Sequence, residues 1–243
     1  FRYTEVKGKI AKIGMWLLLP GTIAMTAGYF LMIFMGKSAN AILMPARALI
    51  LFTGVIIALY GWNQVSKEEL GEKYKSISWR KRIPAVFKNP LRFGMYIPFF
   101  LAGLVVVIPG MIIVANLEAY RDPTNYAVEL SYAVGHPHTL ITLGAVVIFC
   151  LVIHNIIPKN KFRKIIGWLV IISLLISFPT VSFYFLRSPA DTVMANALKH
   201  IILSGLFILF ADVLIFLGLI IYQLVKNRES FAEKIIPLVS IRA

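Results

Sequence analysis

Six long apolar runs, separated by short polar stretches, set the pattern of this chain, and each is close to the roughly twenty residues that an α-helix needs to cross a hydrocarbon core. The runs cover about 14–35, 42–62, 94–115, 134–157, 165–186 and 197–225. Lipid offers a peptide group no hydrogen-bond partner, so runs of this length predict helices rather than strands. The polar stretches have a pattern of their own. The start (Arg2, Lys7, Lys9, Lys12), the 63–92 connection, the connection from Lys159 to Lys164 and the tail are basic, and the other three connections are not. Positive charge collects on the cytoplasmic side of a membrane protein, so this alternation predicts that both termini are cytoplasmic. The fold expected is all-α: a polytopic membrane protein, a six-transmembrane-helix bundle forming one integral domain over 1–243. A basic start followed by a full-length span reads as no secretory signal. In the longest connection, Glu68-Glu69-Leu70-Gly71-Glu72-Lys73 mixes signs at helical spacing and predicts a short surface helix.

Composition agrees with a lipid solvent. The chain is 59% hydrophobic with a mean hydropathy of +0.80, too apolar for a soluble domain. Its net charge of +14 sits between the apolar runs, where it reads as topology signal and anionic-lipid contact, with no nucleic-acid partner. The single cysteine, Cys150, excludes an intrachain disulfide and reads as a small hydrophobe inside a run. Trp16, Trp62, Trp79 and Trp168 read as interface anchors. No phosphate-binding glycine loop, Ser/His/Asp set or zinc-ligand run is present, which disfavours soluble-type hydrolysis.

The histidines concentrate the candidate chemistry. Three of the four, His136, His138 and His154, lie in the fourth run, and His200 opens the sixth. At 1.5 Å per residue His154 is about 24 Å from His138, so it reads as an interfacial histidine at the cytoplasmic end, whereas His136, His138 and His200 share the outer level. A haem iron held by two imidazoles needs one from each of two helices at matching depth. His200 supplies one. The other is His136 or His138, with His138 preferred because Pro137 favours a helix start and leaves His136 near the cap. Gly135, Gly144 and Gly205 leave room for a macrocycle or serve ordinary helix packing. Arg47 and Arg187 offer a fork suited to haem propionates, or are snorkelling anchors at span ends; Lys199 is a further cation beside His200. In the plainer reading His136 and His138 are interfacial residues bonded to water and headgroups. Copper is an alternative ligand of the outer histidines, with Asp191 the nearest acid in sequence. Asp212 falls near the middle of the sixth run, where a carboxylate is costly unless neutral or paired. Either it carries protons, or it is protonated and bonded to a Thr, Ser or Tyr of a neighbouring span.

Gly135-His136-Pro137-His138-Thr139-Leu140-Ile141-Thr142-Leu143-Gly144, followed by an apolar helix and Ile156-Ile157-Pro158, resembles the histidine-bearing helices of the haem-copper oxidase catalytic-subunit superfamily and related membrane haem proteins. His200-Ile201-Ile202-Leu203-Ser204-Gly205 is similar, with one histidine. The likeness covers two of the six expected helices and implies a low-spin haem b near the outer face. A full catalytic subunit has about twice as many spans and further histidines for copper, which puts oxygen reduction in doubt. The expected function is therefore a haem b-binding membrane subunit of a respiratory electron-transfer complex in a prokaryotic plasma membrane, taking electrons from a quinol or an outer redox protein. The alternatives are a cofactor-free structural subunit of a membrane complex, and a small copper-handling or transport protein that uses Asp212 and the outer histidines.

Overall fold

The computed structural model describes residues 9–115, 126–187 and 191–226, and within these residues every regular element is helical. Helix α1 spans Lys9–Met35 and, after a 3₁₀ turn at Gly36–Ala39, α2 spans Asn40–Leu70. A second 3₁₀ turn, Gly71–Tyr74, leads to the short α3, Trp79–Val86. Then come α4 (Pro90–Leu101), a π-helical turn (Ala102–Val107) and α5 (Ile108–Ala115), which together make one rod. Helices α6 (Tyr126–Ile156), α7 (Lys161–Leu186) and α8 (Thr192–Lys226) complete the described chain. Five helical stretches are long and apolar enough to cross a bilayer: Ala41–Tyr74, Pro90–Ile112, His138–Ile156, Lys161–Leu186 and Thr192–Tyr222. The protein is thus a multi-pass helical membrane protein whose outer surface meets lipid. Helix α1 is continuous across the first apolar run, through Pro20.

Local chemistry sets several boundaries. The surface helix expected over 68–73 does not form: α2 runs on to Leu70, and Gly71, with φ of 55°, ends it in a conformation that only glycine enters without strain. Asn89 and Asn160 cap α4 and α7 by accepting from the backbone N–H of Arg92 (3.4 Å) and Arg163 (2.9 Å). Asp191 accepts from the N–H of Met194 at 2.8 Å and starts α8, so this acid is a cap. Helix α6 begins at Tyr126, well before the start expected near 134, and Pro137 lies inside it. His136 is therefore not a cap residue. Residues 116–125 and 188–190 of the expected outer loops, and the tail beyond 226, lie outside the described residues.

Packing orders the helices. Helix α1 pairs with α2, α2 also packs on α4 and its π-helical turn, α4 on α7, and α7 along most of α8, while α6 rests on α4 and more lightly on α7. Helices α4 and α7 run parallel and approach closely at Gly167, whose missing Cβ would lie 2.3 Å from the backbone nitrogen of Leu91. Leu91, Leu101, Val105, Leu143, Val146, Ile153, Ile166, Val170 and Leu174 form the core between α4, α6 and α7. Trp62 belongs to this packing rather than to an interface belt: its Nε1–H donates to the carbonyl of Phe93 at 3.2 Å and its ring lies between Phe93 and Phe100.

One end of the bundle is basic and cross-linked. Arg163 of α7 is buried and caps the end of α6, donating from Nη1 to the carbonyls of Ile157 (3.2 Å) and His154 (3.3 Å), with Nη2 2.5 Å from His154 Nδ1. Glu69 of α2 accepts from Lys159 Nζ at 2.5 Å and from Asn89 Nδ2 at 3.4 Å, and Glu68 pairs with Arg92. His154 is thus half-buried against an arginine instead of facing headgroups alone.

Candidate functional site

His138 and His200 lie at the opposite, far end from His154. Helices α6 and α8 both run from that end towards the basic one, so His138 and His200 share a level, as their spacing suggests. They are not brought together. The inward stripe of α6 is Thr139, Leu143, Val146, Cys150 and Ile153, all buried, and His138 lies about 100° round the helix from it. His138 is exposed beside Ile141 (70% exposed) and Ile148. On α8 the inward stripe is Gly205, Asp212 and Phe216, and His200 lies about 120–160° away, on the exposed side with Leu203 and Phe207. The backbones of α6 and α8 scarcely touch. A haem clasped inside the bundle by this pair does not fit. His200 instead lies on the open, largely apolar face of α8 with Leu203, Ser204, Phe207 and Phe210. The side chain of His136 lies outside what the structure describes.

The two arginines are also engaged elsewhere. Arg47 is buried, and its Nη1 donates to the carbonyl of Gly110 in α5 at 3.0 Å. Arg187 donates to the carbonyl of Tyr184 and stacks its guanidinium on that ring, 3.8 Å from the centroid. Among the described residues no group of three His, Cys, Asp or Glu side chains is arranged to hold a metal ion.

What the fold does assemble is a polar pocket halfway along the spans. Asp212 of α8 is 0% exposed, and neither carboxylate oxygen has a hydrogen-bond partner among the described residues. Across from it lies Cys150 of α6, buried and within electrostatic range, and one step along α8 the ring of Phe216 meets Phe149 of α6 edge-on at 5.4 Å. The third wall is α7. Gly205 of α8 sits against Ser177, whose Oγ–H donates to the carbonyl of Ile202 at 3.3 Å. Measured from that contact towards the basic end, Ser173 lies about 6 Å down α7 and Asp212 about 10 Å down α8. Ser173 is on the same face as Ser177, is wholly buried, and its Oγ is likewise unbonded. A carboxyl, a thiol and a hydroxyl from three helices are thus buried at neighbouring levels of an otherwise apolar interior, without a hydrogen bond between the carboxyl and the hydroxyl.

The chemistry of this donor set is narrow. Divalent cations need six or more oxygens or several charged ligands, and this pocket has one carboxylate, one hydroxyl and a thiol. A proton needs only the carboxyl. Four residues from Cys150 on α6, about 6 Å towards the basic end, is His154 with its Arg163 partner. The sequence flags Asp212 by its place in an apolar run. The roles of Ser173 and Cys150 carry no such signal, because a lone serine or cysteine in a span is ordinary packing; the pairing of His154 with Arg163 is hidden by the turn between α6 and α7.

No protein-family model, curated protein or solved structure matches this chain.

Proposed function

We propose that this chain is a multi-pass membrane protein that moves protons across the bilayer interior by way of Asp212, as a small proton-coupled transporter. In this reading it crosses the membrane six times, α1 being the first span, with both termini and the Arg163 end of the bundle cytoplasmic. The observation that carries the reading is the burial of Asp212 at mid-span with both oxygens unbonded. An intramembrane carboxyl kept for structure bonds to a neighbouring helix, whereas one that exchanges protons has to be free to gain and lose them. The lowest-cost state of an unpaired carboxyl in hydrocarbon carries a proton, so the group takes one up and releases it when a route opens. Cys150, within electrostatic range, and the buried hydroxyl of Ser173 are the polar groups on the facing helices that could receive or return it. The experiment is proton uptake into vesicles reconstituted with the purified chain, driven by an imposed membrane potential and read with a pH dye. Asp212→Asn is expected to lower uptake at least tenfold and Asp212→Glu to retain much of it. Uptake in Asp212→Asn equal to that of the unaltered chain overturns the reading.

A second reading rests on the exposed His200. An imidazole on an exposed apolar helix face is open to a haem b that takes its other axial ligand, and the cover for its second face, from a neighbouring subunit, which keeps the chain as a haem-carrying partner in a respiratory complex. Copper on the outer histidines has no comparable support. A sharp reduced α band that is lost in His200→Ala supports the haem; its absence from haem-supplemented material removes it.

A further inference from the structure

At the basic end, Phe87, which follows α3, stacks on Trp168 of α7, with ring centroids 6.2 Å apart and planes 8° from parallel. Both rings remain 42% exposed, so the stack is a shelf on the outside of the bundle. Lys88 follows Phe87 directly, and Lys164 and Lys161 lie one and two turns before Trp168 on the same side of α7, all exposed. Several other cations of this end are engaged: Arg92 with Glu68, Lys159 with Glu69, Arg163 with the end of α6, Arg82 with the carbonyl of Ile77 and the ring of Tyr74, and Arg80 with the ring of Trp79, while Lys67, Lys73, Lys75 and Lys81 are also exposed and lie on α2, the segment after it and α3. Glu68 and Glu69 are thereby neutralised, and the remaining described acid here, Glu72, stands apart in the 3₁₀ turn after α2. Lys88, Lys161 and Lys164 have no ion-pair partner among the described residues. Above the shelf the exposed stripe of α7 continues as Ile172 and Leu175, with Ile165 beside Lys164. Cations at the foot, an aromatic shelf and then about 10 Å of apolar helix surface follow one another along a single face.

From this order we infer that the Phe87–Trp168 shelf is a binding site for an anionic phospholipid, its phosphate held by Lys88, Lys161 and Lys164 and one acyl chain lying along Trp168, Ile172 and Leu175. The ligand needs a negative head and a long apolar tail on the same molecule, because the lysines and the stripe are continuous. A nucleic acid or an acidic peptide would satisfy the lysines and leave the stripe bare. Exposed lysines beside a membrane surface attract anionic headgroups, and the attraction weakens with salt.

Brominated phospholipids, which quench a nearby tryptophan, read this site in the purified full chain in mixed micelles. Brominated phosphatidylglycerol is expected to quench the Trp168 component, identified by its loss in Trp168→Phe, at about tenfold lower mole fraction than brominated phosphatidylcholine. The preference should fall to near onefold in the triple variant Lys88→Gln, Lys161→Gln, Lys164→Gln, and should shrink in the unaltered chain as salt is raised. Equal quenching by the two lipids, a preference that survives both the triple variant and high salt, or its removal by millimolar inorganic phosphate at constant ionic strength would each overturn the proposal, the last by showing a site for phosphate alone. Because all three lysines are exposed, their replacement leaves the helices intact, which circular dichroism checks.

Discussion

Asp212 and His200 lie on one helix, three turns apart, yet one faces a closed interior and the other the outside. That difference separates a carboxyl shut away from partners from a histidine open to the surroundings, and burial leads to two predictions about single side chains. Burying a polar group without a partner costs about 1–3 kcal/mol, so Asp212→Ala is expected to leave the melting temperature in detergent unchanged or higher while proton uptake is lost. A clear fall in melting temperature would show the carboxyl to be a structural tie. Arg163 is the opposite case, since its guanidinium satisfies two carbonyls and His154 at once. Arg163→Lys keeps the charge but not the fork, and is expected to cost about 2–3 kcal/mol, the scale of hydrogen bonds made by a charged group. Thermal unfolding in detergent checks this, and wild-type stability in the variant would place the ties elsewhere.

At the scale of elements, α4 packs through a close approach at Gly167 on α7, the helix along which α8 lies. A methyl group there meets the backbone of Leu91 and Pro90, which cannot rotate out of the way. Gly167→Ala therefore has to part the two helices, at a cost of about 1–3 kcal/mol for overpacking. Because α8 is carried on α7, the same change is expected to loosen the pocket around Asp212 and make Cys150 reactive towards a membrane-permeant thiol reagent, to which the unaltered chain should be inert. Labelling kinetics followed by mass spectrometry measure the difference; equal inertness in both would mean that α6 and α8 hold the pocket without α4. The existence of the long helices was legible beforehand, but their ends were not: the cap at Asn160 and the stop at Gly71, which falls inside the surface helix expected over 68–73, are set by local backbone geometry that apolar run length does not carry. Pro137 misled because a proline is tolerated inside a long membrane helix, where neighbours satisfy the freed carbonyl.

For the whole molecule, the basic clusters from which the proposed orientation is read are also those that bind its end together. Glu69 joins α2 to Lys159, and Arg163 joins α7 to α6. Six crossings with both termini cytoplasmic predict that cysteines placed at Lys73 and Lys164 react with an impermeant reagent only from the cytoplasmic side, and one placed at Thr192 only from outside. Labelling of intact cells against inverted vesicles decides, and a Thr192 site reached from the same side as Lys164 would remove the topology. The apolar runs and their charges were enough to establish an all-helical, multi-pass membrane protein, since run length and flanking charge are properties of each segment alone. They also singled out Asp212 as costly. They did not say which way any side chain faces, because spans that are apolar all round carry no polar stripe to orient them. Only packing among α6, α7 and α8 turned Asp212, Cys150 and Ser173 inward and His138 and His200 outward, since facing is decided by which helices approach, and that approach depends on small residues far apart in the chain.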